Sequence, residues 1–235
     1  SGNYVLNHIL SGSFSKGYPA GRMVQLFGAS GSGKTTLMKL LLKFYNPTEG
    51  QIKYNGVDIN SLSATSIREN SGVVMQDGFI FSDSIKRNIA TGDVNINERK
   101  LSNSIYIANI SDFINSLPLK LNTKIGASGN GISGGQKQRI LIARAVYKNP
   151  HYIFFDEATS ALDAENEKII HNNLQDFFSG KTVVIIAHRL STVKNADNIV
   201  VMKNGKVTEI GTHLELVKKR GDYFELVKNQ LELGN

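Results

Sequence analysis

The sequence contains no cysteine, so it has no disulfide, no thiolate zinc site and no cysteine nucleophile. That fits a reducing compartment. No apolar run is long enough to cross a bilayer; the stretch from Val183 to Ala187 is typical of the longest. Nor does the chain open with the charged-then-apolar segment of a signal peptide. Any role at a membrane is therefore expected to come through a partner. No five charges of one sign stand together. The net charge of +7, from 27 Lys and Arg against 20 Asp and Glu, comes from scattered lysines. That describes a solvated surface better than an arm for nucleic acid. Internal repeats and low-complexity stretches are also absent. There are only four prolines, and three of them punctuate: Asn46-Pro47, Leu117-Pro118 and Asn149-Pro150 each end a helical run.

What is present is ordinary for a globular protein. The chain has 235 residues, 40% apolar and 20% charged, enough for one large domain or two lobes with a substantial core. Strand and helix patterns alternate. Residues 23–27, 51–54, 72–75, 152–155, 183–187 and 199–202 read as buried strands. Residues 35–45 carry Leu37, Leu40, Leu41 and Phe44 at helical spacing. Residues 83–116 read as helical, with Ile107, Ile110 and Ile114 on one face. Residues 134–148 read as a helix apolar nearly all round, 165–178 as an amphipathic helix through Ile170, Leu174 and Phe177, and 213–233 as a helical tail. Strands apolar throughout, alternating with helices, predict an α/β fold with a mainly parallel sheet flanked by helices. Residues 1–76 and 149–235 are expected to form that core, with 77–148 inserted as a helical subdomain.

Gly28-Ala29-Ser30-Gly31-Ser32-Gly33-Lys34-Thr35 fits the pattern G-x-x-x-x-G-K-[ST], directly after a strand and directly before a helix. The glycines let successive N–H groups turn inward toward phosphate oxygens, and the helix N-terminus adds partial positive charge. Lys34 is expected at the β- and γ-phosphates of ATP and the Thr35 hydroxyl on Mg²⁺, with Thr36 also at the nucleotide. The chain therefore reads as a P-loop NTPase. A second constellation follows an apolar strand: Ile153-Phe154-Phe155-Asp156-Glu157. Asp156 at the strand tip suits Mg²⁺, and Glu157 suits the general base that polarises the attacking water. Alone, an acidic pair after a strand often only caps a helix.

Ser133-Gly134-Gly135-Gln136 precedes the helix from 134. One reading is local: serine followed three residues later by glutamine is a capping box. The other is a second phosphate site made of the serine, the glycine amides and the helix dipole. One nucleotide needs a single phosphate loop, so a second site points to ATP shared between two chains.

With these residues in place the chain resembles the nucleotide-binding domain of ABC transporters over residues 28–235. Ile132-Ser133-Gly134-Gly135-Gln136 resembles the family signature, with isoleucine for the usual leucine. The resemblance implies that Gln76 is the Q-loop glutamine, touching Mg²⁺ and facing a transmembrane partner. It implies that Ser160-Ala161-Leu162-Asp163 is the D-loop crossing a head-to-tail dimer, and that His188 is the switch histidine at the γ-phosphate. It further implies a place on the cytoplasmic face of the membrane and no direct contact with nucleic acid. Residues 77–85 and Asn88-Ile89-Ala90 resemble exporters that carry a peptidase domain and secrete peptides.

Residues 1–27 fit that family less well. Leu6-Asn7-His8-Ile9-Leu10-Ser11-Gly12, then Gly17-Tyr18-Pro19-Ala20-Gly21-Arg22, resembles the approach to the phosphate loop in RecA-type recombinases. A hybrid joined near the phosphate loop is one reading, and divergence within an ordinary ABC domain is the other. Tyr4 stands at about the right distance to stack on adenine; the other reading, which the different N-terminal segment favours, is that it packs there and no residue stacks on adenine. Two further functions stay open on the sequence: a soluble ABC-type ATPase acting on nucleic acid, and a hybrid that folds but binds or hydrolyses ATP weakly.

Overall fold

The computed structural model describes residues 22–126, 131–186, 193 and 196–232. The chain forms two compact units. The first comprises the residues up to Ser71, then His151–Asp156 and the chain from Gly180 onward; the second comprises Gly72–Pro150 and Glu157–Ser179.

In the first unit, strand β1 (Met23–Phe27) is buried from Val24 onward, including Gln25. Burial of both faces fits a central parallel strand, whose residues are mostly apolar; Gln25 is the polar exception. It pairs in parallel with β8 (Thr182–Ile186) on one side and β9 (Asn198–Lys203) on the other. β7 (Tyr152–Asp156) extends the sheet beyond β8, and β10 (Lys206–Gly211) closes the other edge antiparallel to β9, giving the order β10-β9-β1-β8-β7. Helix α1 (Lys34–Leu41) follows the loop after β1. A two-residue hairpin, β2 (Lys53–Tyr54) and β3 (Val57–Asp58), leads to helix α2 (Ala64–Glu69).

The core of this unit lies between β1, β9 and two terminal helices, α8 (His213–Lys219) and α9 (Asp222–Glu232). Phe27, Ile199, Val201, Leu216 and Tyr223 meet there. Tyr223 is fully buried, edge-on to Phe27 at 5.5 Å, and its hydroxyl lies 2.7 Å from His213 Nδ1. Burial pushes its hydroxyl up to about 12. Its backbone N–H donates to the buried Glu209 carboxylate at 2.7 Å, and Lys219 pairs with the other oxygen at 3.3 Å. Glu209 thus ties the edge strand to the first turn of α9.

The second unit begins at the second residue of strand β4 (Ser71–Val74). It holds helices α3 (Ile85–Ile89), α4 (Glu98–Ile107), α5 (Ser111–Ser116), α6 (Gly134–Lys148) and α7 (Ala164–Phe178), with a short strand pair β5 (Asp83–Ser84) and β6 (Lys124–Ile125). The helices start where the side chains dictate. Ser84, Asn97, Ser133 and Asp163 each accept a backbone N–H of the first turn. Arg144 of α6 binds this unit's loops together. Its guanidinium donates to Asn88 O at 2.7 Å and Phe79 O at 2.9 Å and lies over the Phe81 ring at 5.3 Å.

Several elements differ from expectation. The helix expected over 35–45 stops at Leu41, because Lys43 takes a left-handed φ of 54°. Phe44 is consequently 53% exposed and no part of the helix's buried face. The helical run expected over 83–116 breaks into three helices, at the Asn97 cap and at Asn109 with φ 48°. Ile107, Ile110 and Ile114 are all buried, but from two helices and the turn between them. The tail breaks at Arg220 with φ 55°. Strands β3, β5, β6 and β10 were not expected from the pattern, and β5 takes the first two residues of the run read as helical from 83.

Candidate functional site

The phosphate loop leaves the carboxyl end of β1, between β8 and β9. In open α/β sheets that is where ligands bind. Its first residue, Gly28, lies against the backbone of β9: a Cβ placed there would sit 2.2 Å from Met202 O. The loop is braced from the same side, where Gly205 N–H, in the β9–β10 turn, donates to Ser32 O at 3.1 Å. Gly28→Ala is therefore expected to push the loop off its seat. It should cost about 1–3 kcal/mol of stability, as overpacking does, and weaken ATP binding with it; thermal melting and nucleotide titration check both.

Inside the loop the Lys34 ammonium is nearly buried, at 5% exposure. It donates to Gly28 O and Ala29 O, each at 2.8 Å, and to Ser32 Oγ at 3.2 Å. The loop is thus curled round a cation by the backbone of its own first residues. Ser30, Gly31, Thr35 and Thr36 are exposed, and Gly33, with φ 97°, is the N-cap of α1. The positive N-terminal end of α1 and a fixed ammonium held by the same loop make a receptor for phosphate.

Asp156 ends β7 and is 3% exposed. In the sheet register Asp156 is level with Ile186, and Ile186 with Leu26, so the carboxylate stands two strands from the root of the phosphate loop. Two strand spacings are about 10 Å. Thr35 at the start of α1 and Asp156 are both oxygen donors, the kind Mg²⁺ takes; the donor set fits that ion.

Glu157 follows with φ 49°, a left-handed conformation that non-glycine residues rarely take and that recurs at functional sites. In the second unit, Ser133 caps α6. Its Oγ accepts Gln136 N–H at 3.2 Å, and Gln136 Oε1 accepts Ser133 N–H at 2.9 Å. The capping box is real, yet it uses a lone pair of the Ser133 hydroxyl and not its proton. Ser133 and Gly134 are exposed, while Gly135 and Gln136 are half-buried. Both readings of this segment are therefore compatible. Asp163 caps α7: it accepts Asn166 N–H at 2.9 Å and Asn166 Nδ2 at 2.7 Å. These bonds, backbone first, hold its carboxyl below the usual range. The cap contributes fully above the usual carboxylate pKa and is lost as pH falls through the lowered value.

Gln76 is exposed, in a turn closed by Gly78 N–H to Met75 O at 3.1 Å. His188 and Tyr4 lie outside the described residues. Sequence reasoning passed over Gln138, which is 6% exposed in α6 and bonded to the segment after Glu157. Its signal was a polar side chain inside a helix read as apolar nearly all round.

Known proteins place this arrangement. The ABC transporter family matches residues 13–160. The heterocyst differentiation ATP-binding protein HepA of Nostoc is 41% identical over 231 residues, 98% of this chain and 38% of that protein. The ATP-dependent lipid A-core flippase of Saccharophagus degradans is 46% identical over 210 residues, 89% of this chain and 36% of that one. A bacterial Atm1-family ABC exporter, solved with ATP bound, superposes with a TM-score of 0.86 at 41% identity, covering 90% of this chain and 37% of that one. The chain thus spans less than two fifths of the length of each. With the family matched over residues 13–160 and these relatives over nine tenths or so of the chain, the chain belongs to the ABC transporter family and is its ATP-binding, ATP-hydrolysing part.

Proposed function

We propose that this chain is the motor of a membrane exporter and that it works as a head-to-tail pair. The observation that carries this reading is the curled loop 28–35 with Lys34 at its centre. A second observation supports it: Ser133 at the start of α6 is exposed, a second phosphate-binding helix end with no role for a single nucleotide. ATP lies on one chain's phosphate loop and on residues 133–136 of the other. Lys34 gives up its loop carbonyls for the β- and γ-phosphates. Thr35 and Asp156 would hold Mg²⁺, with Gln76 beside it, and the bound ion would supply charge neutralisation to the phosphates. Glu157 accepts a proton from the water that attacks in line, and His188 contacts the γ-phosphate. Catalysis comes mostly from positioning and charge stabilisation. Asp163 lies at the interface of the pair.

Among the described residues no helix is long and apolar enough to cross a membrane. The transmembrane part is accordingly a partner or another stretch of the parent protein, and the motor sits on its cytoplasmic face. Residues 77–90 support a peptide exporter of the peptidase-bearing type. The Gly17-Tyr18-Pro19-Ala20-Gly21-Arg22 stretch supports a recombinase-like origin for 1–27, but the family match already starts at residue 13, which favours an ABC domain continuous from there.

Lys34→Ala tests the phosphate loop. Charged hydrogen bonds contribute about 1.5–3 kcal/mol each, so ATP affinity should fall roughly ten- to a hundredfold. The fold should survive, since the ammonium serves loop carbonyls and no apolar core. Unchanged affinity in a nucleotide titration would remove Lys34 from the site.

A further inference from the structure

We propose that Gln138 is a positioning residue: it fixes the backbone that carries Glu157 and ties it, within one chain, to residues 133–136. The proposal rests on the head-to-tail reading above. Gln138 lies one turn into α6, and both ends of its buried amide are used. Its Nε2 donates to Glu157 O and to Ser160 Oγ, each at 3.2 Å, and its Oε1 accepts Ala161 N–H at 3.0 Å. Only a side-chain amide offers a donor and an acceptor together at that reach. Ser160 N–H closes the same turn on Glu157 O at 3.0 Å.

The clamp holds a backbone that would not hold itself. Glu157 is in the left-handed region, which persists only where the surroundings impose it. The loop after it rides directly on the first turn of α6. A Cβ at Gly135 would lie 3.1 Å from Ala161 O, and one at Gly134 would lie 3.5 Å from Ala161 Cβ. The next residue along α6, Arg139, makes a second tie through Nη1 to Asn166 Oδ1 at 3.2 Å and to Asn109 O at 2.6 Å; Asn166 in turn bonds Asp163. Residues 133–136 and Glu157 therefore move as one body.

In the proposed pair those two elements serve different nucleotides: residues 133–136 the partner's ATP, Glu157 the chain's own. Closing on one ATP then sets the general base at the other, through Gln138. Positioning errors of about 1 Å cost on the order of a hundredfold in rate, so a loosened clamp should show in turnover before it shows in binding.

The test uses Gln138→Met, which keeps length and loses every bond, and Gln138→Glu, which keeps the acceptor for Ala161 and loses the donors. Hydrogen exchange, turnover and ATP affinity are measured on each. In Gln138→Met the Ala161 amide should exchange about tenfold faster or more, while amides within α6 keep their protection. Turnover should fall at least about tenfold at nearly unchanged ATP affinity. Gln138→Glu should keep Ala161 protected and still lose turnover. An unchanged Ala161 exchange rate, or wild-type turnover with Ala161 released, overturns the proposal. Should Gln138→Met not fold, Ser160→Ala removes one bond at an exposed position; turnover should drop severalfold at an unchanged melting temperature, and no drop overturns the proposal equally. A wild-type chain without turnover would refute the motor reading instead, and Ala161 exchange alone would then decide on the clamp.

Discussion

Glu157→Gln is expected to lower ATP turnover about a hundred- to ten-thousandfold, the range a positioned general base supplies, with ATP still bound. The amide keeps the size of the side chain and loses the basic oxygen. The backbone need not change, because the bond from Gln138 reaches the Glu157 carbonyl and not its carboxylate. The substitution also removes a negative charge from beside the γ-phosphate. The ATP-bound pair should therefore persist longer than in the unaltered chain. Phosphate release measures the first effect and light scattering with Mg-ATP the second. Wild-type release rates would exclude Glu157 as the base.

The central sheet was legible because its strands are buried on both faces and carry uninterrupted apolar residues: Ile153, Phe154 and Phe155 in β7, Val183 and Val184 in β8. Apolar periodicity does not register turns made by backbone conformation. Two Asn-Gly pairs illustrate this. Asn55-Gly56 and Asn204-Gly205 have φ of 50° and 81°, and of 50° and 73°. Positive φ at both central residues is what a tight hairpin needs, and Asn-Gly supplies it cheaply. Each pair is followed by a strand, β3 of two residues or β10 of six, too polar to read as one. The break in 83–116 has the same origin. Isoleucines continue the helical spacing across Asn109, while Asn97 caps the start of α4 and Asn109, with its left-handed φ, follows its end.

The site divides similarly. Loop 28–35 was legible because a local backbone shape demands glycine at fixed offsets, and the seat of Gly28 against Met202 shows one demand directly. Asp156 was legible as the tip of an apolar strand. Gln138 was not, since its partners are Glu157, Ser160 and Ala161, some twenty residues on. A buried polar side chain in a helix declares a partner somewhere and does not say where. The same holds for Glu209, a charged residue in a strand that the pattern did not register, which holds the start of α9.

The second large effect is expected at Ser133. If this residue acts on the nucleotide of the partner chain, Ser133→Arg should abolish hydrolysis and leave ATP binding to the single chain intact. Lost capping contributes only about 0.5–2 kcal/mol of stability, too little to unfold a chain of this size, so stability and turnover can be read apart. The capping box seen at α6 makes the comparison necessary: a purely local role predicts the stability loss with turnover preserved in the folded fraction.

Mixing two inactive variants tests the shared site most directly. Ser133→Arg keeps an intact phosphate loop, and Lys34→Ala keeps an intact 133–136. In a head-to-tail pair their mixture forms one complete site per mixed dimer, so turnover should return on mixing at a rate that rises with the concentration of either partner. A mixture as inactive as its components, under conditions where the unaltered chain hydrolyses ATP, would contradict the shared site.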